Sequence, residues 1–156
     1  MKAYLGLGTN IGNKRRNLIT AGALLAEQCG DVLSVSSFYE TQPWGFHSEN
    51  QFLNAALLLE TGMSPEELLY ETQRIEREMG RTEKSNGVYQ DRVIDIDLLL
   101  YEDWVMQTEE LTLPHPLMHQ REFVLLPLAE IAPWVKHPVL GKTIEELRVA
   151  NYESNL

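Results

Sequence analysis

Residues 91–100 read DRVIDIDLLL. From Val93 to Leu100 the run is dense in Val, Ile and Leu, the composition of a strand. Side chains alternate faces along a strand, so Asp95 and Asp97 point one way. Ile94, Ile96, Leu98 and Leu100 take the other face and can enter a core. The two carboxylates are about 7 Å apart by strand rise and repel each other, so this placement calls for positive charge between them. Leu99 lies on the acidic side, which makes that face less than uniformly wet.

Reading outward from this strand gives the rest of the fold. Upstream, Ser64 can cap a helix, Pro65 suits its first position and Glu67 completes a capping box. Leu68, Thr72, Ile75 and Met79 form its inward stripe, and Gly80 is a natural stop. Before it, FLNAALLLE (52–60) reads as a strand, and DVLSVSSFY (31–39) alternates as another. Between them, residues 40–51 read as a loop through Pro43, Gly45, Ser48 and Asn50. Lys14 to Gln28 reads as a helix with Leu18, Ala21 and Leu25 inward, ended by Gly30. AYLGLG (3–8) reads as a first strand. The order βαββαβ predicts an α+β, ferredoxin-like core: one antiparallel sheet with helices packed on one face. Residues 102–156 form a C-terminal extension, with a Pro- and His-containing loop, a short helix around Arg121 to Glu130 and a further helical piece at TIEELR.

Bulk properties narrow the class. The 156 residues suit a single domain, here 1–156. The apolar runs fall far short of a membrane span, and MKAYLGLGTN enters strand-like sequence without a signal-peptide pattern. A lone cysteine, Cys29, excludes an internal disulfide or a cysteine-based zinc site and reads as structural; a cytoplasmic protein is expected. The net charge of −10 opposes nucleic-acid and anionic-membrane binding, though it leaves room for a local basic cluster around a small anion.

The chemistry-bearing residues gather near the opening stretch. Magnesium takes oxygen ligands, commonly one or two carboxylates with substrate phosphates completing the shell. Asp95 and Asp97 supply such a pair, although Asp-x-Asp is short and two ordinary solvent-facing aspartates would read the same. Arg81, Lys84, Arg92 and Arg121 are nearby cations, and His115 is held between two prolines. Arginine forks onto phosphate oxygens and histidine can donate to them. Alternation puts Arg92 opposite Asp95 unless the strand starts after it. LGLGTNIGNKRRN has neither Walker A nor GxGxxG spacing; Gly6, Gly8 and Gly12 serve either tight strand–helix packing or a place near ligand. Phe52 and Asn54 share a strand face, where a ring can stack on a heterocycle and an amide can read its edge; from these residues alone, core packing with a satisfied amide is the favoured reading. Phe123 could be a second wall. Gln73 and Glu76 lie off the inward helix stripe, where a solvated face is expected.

Several stretches in order, GLGTNIGN, SSFYETQPWG, FLNAALLLET, QRIEREMGR, DRVIDIDLLL and LPHPLMHQREFVLLPLAEIAP, resemble the 6-hydroxymethyl-7,8-dihydropterin pyrophosphokinase family over about residues 3–134. The resemblance implies transfer of the terminal diphosphate of ATP to the pterin hydroxymethyl group, with release of AMP and two magnesium ions, in a monomeric enzyme of folate biosynthesis. It implies that Asp95 and Asp97 are the metal ligands and that Asn54 reads the pterin edge. Phe52 and Phe123 would sandwich the ring, and the loop Thr41, Pro43, Trp44 and Gly45 would add contacts. Gln73, Glu76 and Thr112 would line the nucleotide site. Arg81, Lys84, Arg92, His115 and Arg121 would meet the phosphates, with Arg92, His115 and Arg121 offsetting charge during transfer.

The sequence departs from the family pattern after Arg81, where TEKSNGVYQDR stands in place of a second arginine and a Trp-Gly-Pro-Arg run. Lys84 restores charge there but not a fork. Glu110 and Pro116 stand where some members have a basic residue and a tyrosine. Two other classes fit parts of the same sequence: a magnesium-dependent phosphohydrolase or nuclease using the same aspartates, and a non-catalytic ferredoxin-like module.

Overall fold

The computed structural model describes residues 1–41, 51–80 and 93–156. The expected site residues Pro43, Trp44, Gly45, Arg81, Lys84 and Arg92 lie outside them.

Strand β1 (Lys2–Thr9) runs into helix α1 (Lys14–Gln28), whose start is capped by the Asn13 side chain accepting from Arg16 N–H. Leu18, Ala21 and Leu25 are its buried stripe, as their spacing predicts. The alternating stretch 31–39 is not one strand. It divides into β2 (Asp31–Val35) and β3 (Tyr39–Thr41), both paired antiparallel to β4 (Phe52–Glu60). Local chemistry explains the break. The Ser36 hydroxyl accepts from Ala56 N–H at 2.9 Å and donates to Ser37 O at 2.7 Å, so a side chain enters where the ladder would continue. The turn into β2 needs Gly30, because a Cβ there would lie 2.2 Å from Glu60 O.

Helix α2 (Pro65–Glu78) carries the predicted capping box in both directions, Ser64 to Glu67 and back, and buries Leu68, Thr72 and Ile75. Strand β5 (Asp95–Tyr101) completes an antiparallel sheet of order β2-β4-β1-β5, with β3 extending the β2 edge. This is the arrangement expected of βαββαβ. Downstream come a small hairpin, β6 (Met106–Gln107) with β7 (Thr112–Leu113), then α3 (Glu122–Ile131) and α4 (Ile144–Ser154).

The two helices of the βαββαβ core lie on one face of the sheet, as expected, and the extension takes the other. Ala3, Leu5, Leu7, Leu57, Leu59, Ile96 and Leu98 do pack against the buried residues of α1 and α2. On the opposite face, Tyr4, Ala56, Leu99 and Leu100 pack with Val124, Leu125 and Leu128 of α3 and Ile144 and Leu147 of α4. The extension is therefore a second cover on the sheet. One expectation needs correction: Leu100, expected on the face of Ile94, Ile96 and Leu98, lies on the opposite one. The β1–β5 register shifts between Tyr4 and Leu5, which pair with Leu100 and Leu98. Leu99 is the extra residue of this bulge. The alternation slips by one, and Leu100 turns to the α3 side.

Cys29 is buried and free, with its thiol pushed up to about 11 by burial. That suits the structural role expected of it and keeps it a poor nucleophile.

Candidate active site

The α3–α4 cover does not reach the whole second face. Beyond it the sheet borders an open cleft of about 640 Å³, counting its solvent-open mouth. The register lays out its floor. In one row across the sheet stand Tyr39, Asn54, Gly8 and Asp95; in the next, Ala56, Gly6 and Asp97. Cross-strand partners share a face. Each acid is thus flanked by a glycine, and β1 projects no side chain between the acids and the β4 side chains. Asn54 and Asp95 are two strand spacings apart, about 10 Å.

Around this floor the cleft brings together Thr41, Phe52, Asn54, Asp95, Asp97, Arg121 and Phe123 of the predicted residues. Phe52 and Thr41 form the next register pair outward. Asn54 is 4% exposed, and its Nδ2 donates to Thr41 Oγ1 at 2.7 Å, which turns its Oδ1 over Gly8. A Cβ on Gly8 would meet that oxygen at 3.0 Å and the Phe52 ring at 3.6 Å. Glycine here keeps the floor low and leaves the amide room to hold its orientation. Of the two readings open for the glycine stretch, closeness to the cleft holds for Gly6 and Gly8, while Gly12 lies in the turn before α1.

The opposite wall comes from the α3 end. Arg121 precedes the helix and is 5% exposed, with its guanidinium 5.5 Å from the centre of the Phe123 ring. Burial pulls its ionisation down from the usual arginine value, but the group stays a cation because that value starts so high. A buried cation and two half-buried acids therefore face one cleft, as the acid pair demanded.

His115 sits beside this cleft, not in its lining. Its N–H donates to Leu99 O at 2.9 Å, pinning the loop to the bulged strand, and its Nδ1 accepts from Leu117 N–H at 3.2 Å. Its Nε2 is then the protonated nitrogen of the neutral ring. Thr112 lies on β7 and Gln73 on α2, both half-buried and outside the cleft lining.

Glu76 overturns the solvated-face expectation. It is 2% exposed, and its Oε2 accepts from Ile96 N–H at 2.7 Å. Ile96 lies between the two acids on β5, the edge strand of the sheet among the described residues, and its N–H points away from β1. Glu76 supplies its acceptor. Helical periodicity could not reveal this, since the requirement comes from an edge formed elsewhere in the chain.

Sequence reasoning placed Leu99 on the acidic face but missed Ala56 and Val124, which complete the apolar lining with it. Its one available signal was two glycines at even spacing on a strand, which places both on one face.

Comparison with known proteins shows the family. Residues 4–133 match the family model of 7,8-dihydro-6-hydroxymethylpterin-pyrophosphokinase. A Porphyromonas gingivalis protein named 2-amino-4-hydroxy-6-hydroxymethyldihydropteridine pyrophosphokinase is 51% identical over 137 residues, covering 86% of this chain and 92% of the relative. An Aquifex aeolicus protein of the same name is 39% identical over 148 residues, covering 95% and 91%. The solved Plasmodium falciparum HPPK-DHPS wild type with SDX-DHP superposes with a TM-score of 0.79 over 99% of this chain at 18% identity, a likeness of fold alone. This chain spans 46% of that longer one. By the match across residues 4–133 and by these identities over nearly full length, the chain belongs to the 7,8-dihydro-6-hydroxymethylpterin-pyrophosphokinase family.

Proposed function

We propose that the cleft on the α3 side of the sheet is where this chain carries out its family's reaction. The chain is an ATP-dependent diphosphotransferase of folate synthesis. It moves the diphosphate of ATP to the hydroxymethyl group of 6-hydroxymethyl-7,8-dihydropterin and releases AMP. The observation that carries the site assignment is the register row Asn54–Gly8–Asp95, with Asp97 in the row beside it. An amide that can read a ring edge stands at one end and a paired acid at the other. A bare glycine floor lies between them.

In this reading Phe52 and Phe123 hold the ring faces, and Asn54 Oδ1 accepts from a ring N–H. Flat placement over Gly8 directs the hydroxymethyl group toward Asp95 and Asp97. Those acids offer only oxygen, on one strand face and at an open cleft. That donor set fits magnesium completed by phosphate and water, and two ions are proposed. When bound, magnesium neutralises phosphate charge and makes a coordinated hydroxyl easier to ionise. Arg121 offsets charge on the transferred group from inside the wall, where low water content strengthens its effect. His115 offers Nε2–H, and Arg81, Lys84 and Arg92 complete the proposed phosphate set. Gln73 and Thr112 are assigned to the nucleotide. Glu76 serves best as a support, holding the Ile96 amide and with it the strand between the acids. Catalysis is then positioning plus charge neutralisation, as in other phosphoryl transfers.

Residues 1–156 are taken as one catalytic domain acting as a cytoplasmic monomer. The net charge of −10 argues against nucleic-acid partners. Among the described residues no helix is long and apolar enough to cross a membrane.

Incubation with ATP, magnesium and the hydroxymethyl dihydropterin, followed by nucleotide separation, tests the site through its variants. AMP should form only when the pterin is present and should disappear in Asp95→Ala. AMP formed without pterin would point to the water-using phosphohydrolase instead. Undiminished AMP in Asp95→Ala would remove the acid pair from the mechanism.

A further inference from the structure

Away from the cleft floor, one charged group ties two separate parts of the wall together. Glu130, near the end of α3, receives a group of hydrogen bonds from the β2–β3 edge. Ser37 N–H donates to both carboxylate oxygens at 3.0 Å, the Ser37 hydroxyl donates to Oε2 at 3.2 Å, and the Tyr39 hydroxyl donates to Oε1 at 2.5 Å. Charge-assisted bonds of this kind are the strong ones.

Both ends of this tie reach the cleft. Tyr39 is the register partner of Asn54, and Thr41, two residues on, holds the Asn54 amide. On the helix, Glu130 follows Phe123 by seven residues, so the two lie on one face about 10 Å apart. Between them is Pro127, buried in the helix interior. Proline lacks the amide that would bond the carbonyl four residues back, here Phe123. The backbone ladder of α3 is thus interrupted between the ring wall and the tie, and the helix's own hydrogen bonds fix its tilt less firmly there. Apolar packing of Val124, Leu125 and Leu128 presses α3 onto the sheet, but such packing is non-directional. The Glu130 bonds are directional and join β3 to α3.

We propose that Glu130, with Tyr39 and Ser37, is a positioning element of the pterin pocket. It sets the separation between the Asn54–Phe52 side and the Phe123 wall, and so governs affinity for the ring without touching either substrate. The proposal rests on the reading of the cleft as the pterin site.

Steady-state kinetics with each substrate varied against a saturating amount of the other provide the test. Glu130→Ala should raise KM for the pterin about tenfold while KM for ATP stays within twofold. Tyr39→Phe, which loses only the hydroxyl, should raise the pterin KM about threefold. Glu130→Gln keeps an acceptor for Ser37 N–H and should recover most of the loss. Thermal unfolding of each variant accompanies the kinetics. The idea is overturned if Tyr39→Phe and Glu130→Ala both leave the pterin KM unchanged. It is equally overturned if both KM values and kcat shift together with the melting temperature, because that is the mark of a merely structural tie. Phe123→Ala separates the two layers. If it leaves the pterin KM unchanged, the cleft reading falls and the tie's role with it. If it raises that KM while the Glu130 variants do not, only the tie falls.

Discussion

The two faces of the sheet are built from the same strands but to different rules. On β1, Ala3, Leu5 and Leu7 look toward α1 and α2, while Tyr4, Gly6 and Gly8 look the other way. The first face meets buried apolar side chains of two helices. The second is filled only where α3 and α4 lie and is emptied by glycine beyond them. Alternation thus lets one strand serve stability with its odd residues and a ligand with its even ones. Substitutions on the two faces should fail differently, one by unfolding and the other by losing turnover.

The largest effect should fall on the open face. Asp97→Ala is expected to lower kcat/KM by at least about 10³-fold, the scale for removing a group that acts on developing charge. Its unfolding free energy, from urea denaturation, should change little, within about 0.5 kcal/mol, as for surface changes away from packing. Wild-type turnover in this variant would remove the acid pair from the site. A collapse of stability would erase the division between the faces.

The covered face supplies the converse. Leu57 is 0% exposed and is the register partner of Leu5 within the α1–α2 core. Leu57→Ala should cost about 2–5 kcal/mol of unfolding free energy, transfer and cavity terms together. The protein that remains folded should keep its KM values. If KM for the pterin rose instead, with stability intact, β4 would be transmitting strain through its thickness and the faces would not be independent.

Glycines sharpen the comparison within the open face. At Gly8 a new methyl would meet Asn54 Oδ1 at 3.0 Å, so the amide must move. At Gly6 it would meet only the Leu99 side chain, at 3.4 Å and beyond. Gly8→Ala should therefore raise the pterin KM about tenfold, equivalent to about 1.4 kcal/mol. Gly6→Ala should change it about threefold or less. Equal effects would mean that floor height matters and the Asn54 orientation does not.

Much of this organisation was legible in the chain. The capping box at Ser64, the apolar spacing of α1 and the paired aspartates are local signals, and each appears in place. Asn54, Phe52, Arg121 and Phe123, singled out in the chain, line one cleft with the acids. What escaped was non-local. Leu100 changes face because the register with β1 slips, and no property of residues 91–100 records that. Glu76 is buried because β5 is an edge strand whose Ile96 amide needs an acceptor. β2 and β3 divide because Ser36 answers the backbone of Ala56. In each case the deciding partner lies at least 20 residues away. Windows of helix or strand length do not span that distance.

The smallest predicted effect concerns the tie between the second face and its cover, and it is read through pH. Hydrogen bonds from Tyr39 and Ser37 hold the Glu130 carboxyl below the usual glutamate value, and the same carboxylate raises the Tyr39 phenol. A depressed carboxyl stabilises the fold above its unfolded value, about 4.3, and that contribution is lost as pH falls through the folded value. A raised phenol contributes below its unfolded value, about 10, and is lost as pH rises through the folded value. The pair should therefore add stability on a plateau between about pH 5 and pH 9. Glu130 is exposed, so water screening keeps the amplitude small, about 1–3 °C in Tm. The Tm difference between wild type and Tyr39→Phe should be flat across the plateau and shrink on both sides. Between wild type and Glu130→Gln the acid-side narrowing must also appear, because the variant has no carboxyl to protonate. A constant difference from pH 3 to pH 10 would show that these hydrogen bonds carry no charge-dependent stability and hold α3 on the sheet as neutral bonds do.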